Sequence, residues 1–92
     1  MNEYEVMYIT KAVEEKELDI IIDKINKLIE NNGGTVVKID RWGKKHLAYE
    51  IEGNQEGLYV LTTFQGTQDT VKELNRVIRI TENVLRHMII RK

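Results

Sequence analysis

Trp42-Gly43-Lys44-Lys45-His46-Leu47-Ala48-Tyr49-Glu50-Ile51 sets three basic or titratable side chains in a row between two aromatic ones. Ammonium groups beside exposed rings can neutralise phosphates while the rings face unstacked bases. Leu47, Tyr49 and Ile51 then alternate with period two, which puts them on one face of a strand and leaves Lys45 free of it. Gly43 marks a bulge or sharp bend, because a residue without Cβ tolerates distorted backbone. A solvated basic hairpin edge that only resists aggregation would present the same residue types.

Other candidates lie near the carboxyl end. Arg86 interrupts an apolar run between Val84 and Met88, and burying an unpaired guanidinium is costly. It therefore reaches either a carboxylate inside the protein or a phosphate outside it. Arg79 could bind phosphate or simply complement the negative end of a helix. His46 and His87 each sit among Arg or Lys, and Arg91 and Lys92 are terminal and expected to be mobile. Tyr4 belongs either to the core or to the rim of a binding sheet.

Catalytic chemistry has little to build on. The chain has no Cys and no Ser, and its two His residues fall on different strands without metal-ligand spacing. Neither GxGxxG nor GxxxxGK occurs, and Gly33-Gly34 reads as a helix stop. Neighbouring carboxylates such as Glu14 and Glu15 belong on the solvated flank of a helix. An enzyme is not expected, nor any metal, cofactor or small-molecule substrate.

The net charge of −1 hides an asymmetry. Residues 1–32 carry eight acids against four Lys, whereas residues 67–92 carry six bases against three acids. Such a dipole leaves a basic surface for phosphates while an acidic helix faces away. A chain this close to neutral should bind nucleic acid weakly alone, which implies a partner sharing the site. With 41% hydrophobic and 32% charged residues, the 92-residue chain reads as one small globular domain, residues 1–92. No apolar run reaches a membrane span, and Glu3 and Glu5 do not make a secretory leader, so a cytoplasmic location is expected.

Periodicity supplies the elements that must position these groups. Glu3 to Thr10 reads as a strand with Tyr4, Val6 and Tyr8 on one face and Met7 and Ile9 on the other. Leu18, Ile21, Ile22, Ile25, Leu28 and Ile29 form a helical stripe that Asn31-Asn32-Gly33-Gly34 should stop. Thr35 to about Ile51 reads as a second strand kinked near Gly43. Residues 52–57 read as a polar hairpin loop, and Leu58 to Gln65 as a third strand. Thr67 should cap a second helix with Val71, Leu74, Val77 and Ile78 buried. A last strand runs from about Val84 to Arg91, apolar on both parities, so its buried face stays undecided. The order β-α-β-β-α-β is the split βαβ, ferredoxin-like pattern of the α+β class: a four-stranded antiparallel sheet with both helices on one face. The other face is left open.

The decapeptide resembles the W-G-[RK]-[RK]-x-L-A-Y-x-I segment of the bacterial small-subunit (30S) ribosomal protein six family. The resemblance includes Tyr4-Glu5-Val6, Arg79-Ile80, Asn83-Val84, Arg86 and Met88, in order and across nearly the whole chain. Asn2 and Glu3 stand where members often carry Arg, and Glu50 where many have Pro. The resemblance implies the same ferredoxin-like fold and a structural role on the ribosome. It also implies binding to the central domain of 16S ribosomal RNA as a heterodimer with small-subunit protein eighteen. Lys44, Lys45, His46, Arg79, Arg86, His87, Arg91 and Tyr4 are then expected to face RNA, the basic ones as a stripe at one rim of the sheet. Met7 and Ile9 would meet the partner protein. The rival is a ferredoxin-like regulatory or ligand-sensing module that dimerises through its open face, which would leave the ordered match unexplained.

Overall fold

The structure, a computed structural model, describes residues 1–92. Its elements follow the expected order: β1 (Asn2–Lys11), α1 (Glu15–Asn31), β2 (Thr35–Ile51), β3 (Asn54–Gly66), α2 (Gln68–Arg79) and β4 (Val84–Arg91). The strands form one antiparallel sheet in the order β2-β3-β1-β4. Tyr4, Val6 and Tyr8 of β1 and Val60 and Phe64 of β3 point to the helices. They pack with Leu18, Ile21, Ile22, Ile25 and Ile29 of α1 and Leu74 and Ile78 of α2. Each such side chain contributes about 1.5–3 kcal/mol on burial. The stripe read from the sequence is therefore the face of α1 that meets the sheet, although Leu28 at its margin is only partly buried.

Thr67 caps α2 as expected, and the cap extends further than sequence alone indicates. Thr70 N–H donates to Thr67 Oγ1 at 3.3 Å, and Thr67 N–H donates to Thr70 Oγ1 at 3.1 Å. Thr70 Oγ1 also donates to the Asn32 carbonyl at 2.7 Å, tying the start of α2 to the end of α1. Thr70 is fully buried, so the isosteric change Thr70→Val leaves two groups without their partner. Its expected cost is about 1–3 kcal/mol, read as a lower urea midpoint at constant slope. An unmoved midpoint would show that the link carries no weight.

The hairpin differs from the expected six-residue loop. β2 and β3 meet through Glu52-Gly53 alone, with φ of 47° and 82°, as a type I′ turn requires. Asn54 Nδ2 donates to the carbonyls of Ile51 and Glu52, and this replaces the Asn-Gly pair such turns usually favour. The polar residues 54–57 are consequently strand, with Gly57 opposite both Lys45 and Lys11. A Cβ at Gly57 would stand 2.6 Å from Ile9 Cγ2 and 2.9 Å from the Thr10 carbonyl, so only glycine fits there.

β2 follows the sheet with three irregularities, at Val36/Lys38, Arg41/Gly43 and His46/Ile51. The second is the kink expected at Gly43, whose φ is 82°. Arg41 on the helix side of β2 reaches Asp19 of α1 at 2.7 Å, which fixes the acidic start of α1 behind the sheet.

Candidate nucleic-acid interface

Register assigns the central rows of the open face. One row runs Gly43, Tyr59, Ile9, Arg86 across the four strands, the next Asp40, Leu61, Met7, Met88, and the third Lys38, Thr63, Glu5, Ile90. Unbroken pairing with β1 resolves β4: His87 and Ile89, opposite Tyr8 and Val6, turn to the helices, while Arg86, Met88 and Ile90 face away. Met7 and Ile9 thus lie on the open face, as the parity of β1 predicted. Met88 and Ile90 beside them are 60% and 50% exposed, an apolar strip no element of the chain covers.

The basic residues fall on two sides. Lys45 and Arg86 are on the open side, where neither pairs with a carboxylate. Their backbones are three strand spacings apart across the sheet and two residues apart along it, roughly 16 Å in all. Lys45 lies opposite Gly57 and so shares the face of Tyr59 rather than leaving it. Lys11, across Gly57 from Lys45, joins them and was missed by sequence reasoning because it sits at a strand end. Glu3 and Glu5 occupy the opposite end of the same face, which makes it electrically polarised along the strands.

The remaining candidates are on the helix side. Lys44 is 4.0 Å from Glu56, and His46 also lies opposite that acid. Arg79 ends α2 close to His87. His87 Nε2 is 2.6 Å from Asn75 Oδ1. Burial, helped by the nearby Arg79 charge, holds the His87 imidazole below its usual value, so it is neutral at pH 7. Because the unfolded chain protonates at its ordinary value while the folded ring resists, acid favours the unfolded chain. Stability should therefore be intact above about pH 6.5 and fall as the pH drops through the lowered value. His87→Gln should lose less melting temperature than the parent between pH 7.5 and 5.5; equal losses would assign the effect elsewhere.

Two expectations are corrected. Tyr4 is 6% exposed and its ring stacks on Phe64 with centroids 5.6 Å apart, so it offers no surface to a base. Arg91 is held in β4 at the opposite end of the sheet, where its Nη2 donates to Asn2 Oδ1 at 3.0 Å. The basic stripe at one rim is in fact a pair of faces: Lys45, Arg86 and Lys11 in front, and Lys44, His46, Arg79 and His87 behind.

Sequence reasoning also left out Trp42 and Tyr59 as a unit. The bulge at Gly43 stacks the Trp42 ring on Tyr59, with centroids 6.5 Å apart and planes 5° from parallel. Leu47, Ile9, Tyr59 and Arg86 line a shallow groove beside them. The signal available was a tryptophan inside a basic segment; its partner, 17 residues on, is not legible without the register.

A split βαβ sheet with unpaired cations and apolar side chains on its bare face defines a ferredoxin-like domain that works through its surface. The sequence model of the family Ribosomal protein S6 matches residues 3–91. Similar curated proteins include the small ribosomal subunit protein bS6 of Desulforamulus reducens, 45% identical over 93 residues covering 100% of this chain and 98% of that one. That of Alkaliphilus oremlandii is 46% identical over 92 residues, covering 99% and 97%. The crystal structure of 30S ribosomal protein S6 from Thermotoga maritima superposes with a TM-score of 0.92 at 30% identity, covering 99% of this chain and 87% of that one. The chain belongs to the ribosomal protein S6 family. It is a structural component of the small ribosomal subunit in the cytoplasm, associated with ribosomal RNA, and not an enzyme.

Proposed function

We propose that the chain binds the central domain of 16S ribosomal RNA together with small-subunit ribosomal protein eighteen, through the hairpin end of its open face. The observation that carries this reading is the pair Lys45 and Arg86, free of carboxylates on the one side of the sheet without helices. Unpaired cations on a rigid sheet gain most from meeting phosphates, since no internal ion pair has to break. Lys44, His46 and Arg79 behind the same end would contact flanking RNA, while His87, turned inward against Asn75, would only support the fold there and Arg91 at the far end would add long-range attraction.

Met7 and Ile9, with Met88 and Ile90, supply the partner contact. Apolar residues in adjacent rows of a sheet favour a folded protein surface over solvent. The acids Glu3 and Glu5 at the far end would repel RNA there and leave that region to the partner protein. The low net charge supports a shared site, because few phosphate contacts can be made by this chain alone.

Binding of central-domain RNA by this chain alone, the partner alone and the equimolar pair tests the reading in one titration series. Tight, salt-sensitive binding is expected only from the pair. Equal affinity for the chain alone and the pair would remove the partner from the proposal. A stable homodimer that binds no RNA would favour the regulatory module instead.

A further inference from the structure

Trp42 is 47% exposed, and its ring lies against Tyr59 on the face that carries the unpaired Lys45 and Arg86. Gly43, directly opposite Tyr59, has no side chain to cover that ring, and the bulge swings the indole into the space left. The two rings are stacked 5° from parallel, which leaves a flat, exposed face on the indole, with Lys45 toward the hairpin and Arg86 one strand beyond Ile9 in the row of Tyr59. Asp40 is the nearest acid on that side by register, and it is occupied by Lys38 at 3.6 Å.

We propose that the Trp42–Tyr59 pair is a stacking platform for one unpaired base of ribosomal RNA, whose flanking phosphates meet Lys45 and Arg86. This rests on the RNA-binding reading above and assigns a base to it. An aromatic face accepts any base, because every base has a π-face, and adjoining cations hold the backbone on either side. A protein segment laid across the same surface would have to bring carboxylates to both Lys45 and Arg86. A single nucleotide with its two phosphates carries that charge pattern already. The platform lies toward β2, whereas Met7, Met88 and Ile90 lie in the next rows toward β4, so both can be occupied at once, with Ile9 between Tyr59 and Arg86 at the border of the two.

Trp42 is the single tryptophan of the chain, so its emission reports on the platform directly. Adding partner protein should leave the emission unchanged, and adding central-domain RNA to the pair should quench it. Trp42→Leu should weaken RNA binding by the heterodimer roughly 10- to 100-fold without changing the slope of log affinity against log salt. Trp42→Phe, which keeps a ring, should recover part of that loss, and both variants should form the heterodimer normally. A blue shift on adding partner alone, or wild-type RNA affinity in Trp42→Leu, would overturn the platform while leaving RNA binding intact. Failure of the wild-type pair to bind RNA at all would instead remove the broader reading, and the platform with it.

Discussion

The Lys45→Ala, Arg86→Ala double variant is expected to bind central-domain RNA about fortyfold more weakly than the parent at ~0.1 M salt, in the presence of the partner protein. Each lost phosphate contact lowers the salt slope by about 0.8, which at that concentration amounts to roughly sixfold per contact. The slope of log affinity against log salt should therefore flatten by about 1.6. Neither side chain makes an ion pair within the fold, so thermal stability should be nearly unchanged. Lys44→Ala makes a useful contrast, because that ammonium lies on the helix side near Glu56. It should change the slope less than either open-face variant does. A double variant with the parental slope would take both residues out of the interface.

Placing a carboxylate in the apolar strip should have a comparable effect on the protein partner. Met88 lies opposite Met7 and is 60% exposed, so Met88→Asp is tolerated by the isolated fold. In a closed interface the new charge would be desolvated without a counter-ion, a cost of at least about 3 kcal/mol. That corresponds to a loss of roughly 150-fold in heterodimer affinity. Ile90→Asp, next along the same face, should behave alike, whereas Ile80→Asp at the end of α2 should not. Ile80 is 74% exposed and lies away from the sheet face, which separates a specific contact from a general effect of charge. Wild-type heterodimer formation by Met88→Asp would place the partner elsewhere.

The fold was legible where burial imposes a period. The stripe from Leu18 to Ile29 repeats every three or four residues because only one side of α1 meets the sheet. The parity of β1 separated Tyr8 from Met7 for the corresponding reason in a strand. Tyr4 was undecided because parity cannot tell a ring at the sheet end from one beneath α2, and its stack on Phe64 joins residues 60 apart. The hairpin was misread because Glu52 is not a residue that signals positive φ, and polar residues 54–57 do not announce a strand. β4 is apolar on both parities, so its orientation follows only from its register with β1, which has no local signature.

The candidate site was legible as residue types and not as an arrangement. Basic segments around Lys45 and Arg86 stand out in the chain, and both prove to lie on the open face. Which of their neighbours join them is decided by strand order and by the three register shifts in β2, and these come from tertiary pairing. His87 illustrates the difference. In sequence it is one basic residue in a cluster, whereas in the fold it is turned inward, bonded to Asn75 and kept neutral. Trp42 shows the converse, since its role depends on Tyr59 across the kink.

Backbone footprinting of central-domain RNA with hydroxyl radicals probes the docking face most directly. The wild-type chain with its partner protein at low salt should protect a discrete set of riboses beyond those protected by the partner alone. The Lys45→Ala, Arg86→Ala pair should lose part of that set. An identical footprint from wild type and double variant, or no added protection from the wild-type chain, would contradict docking through the open face.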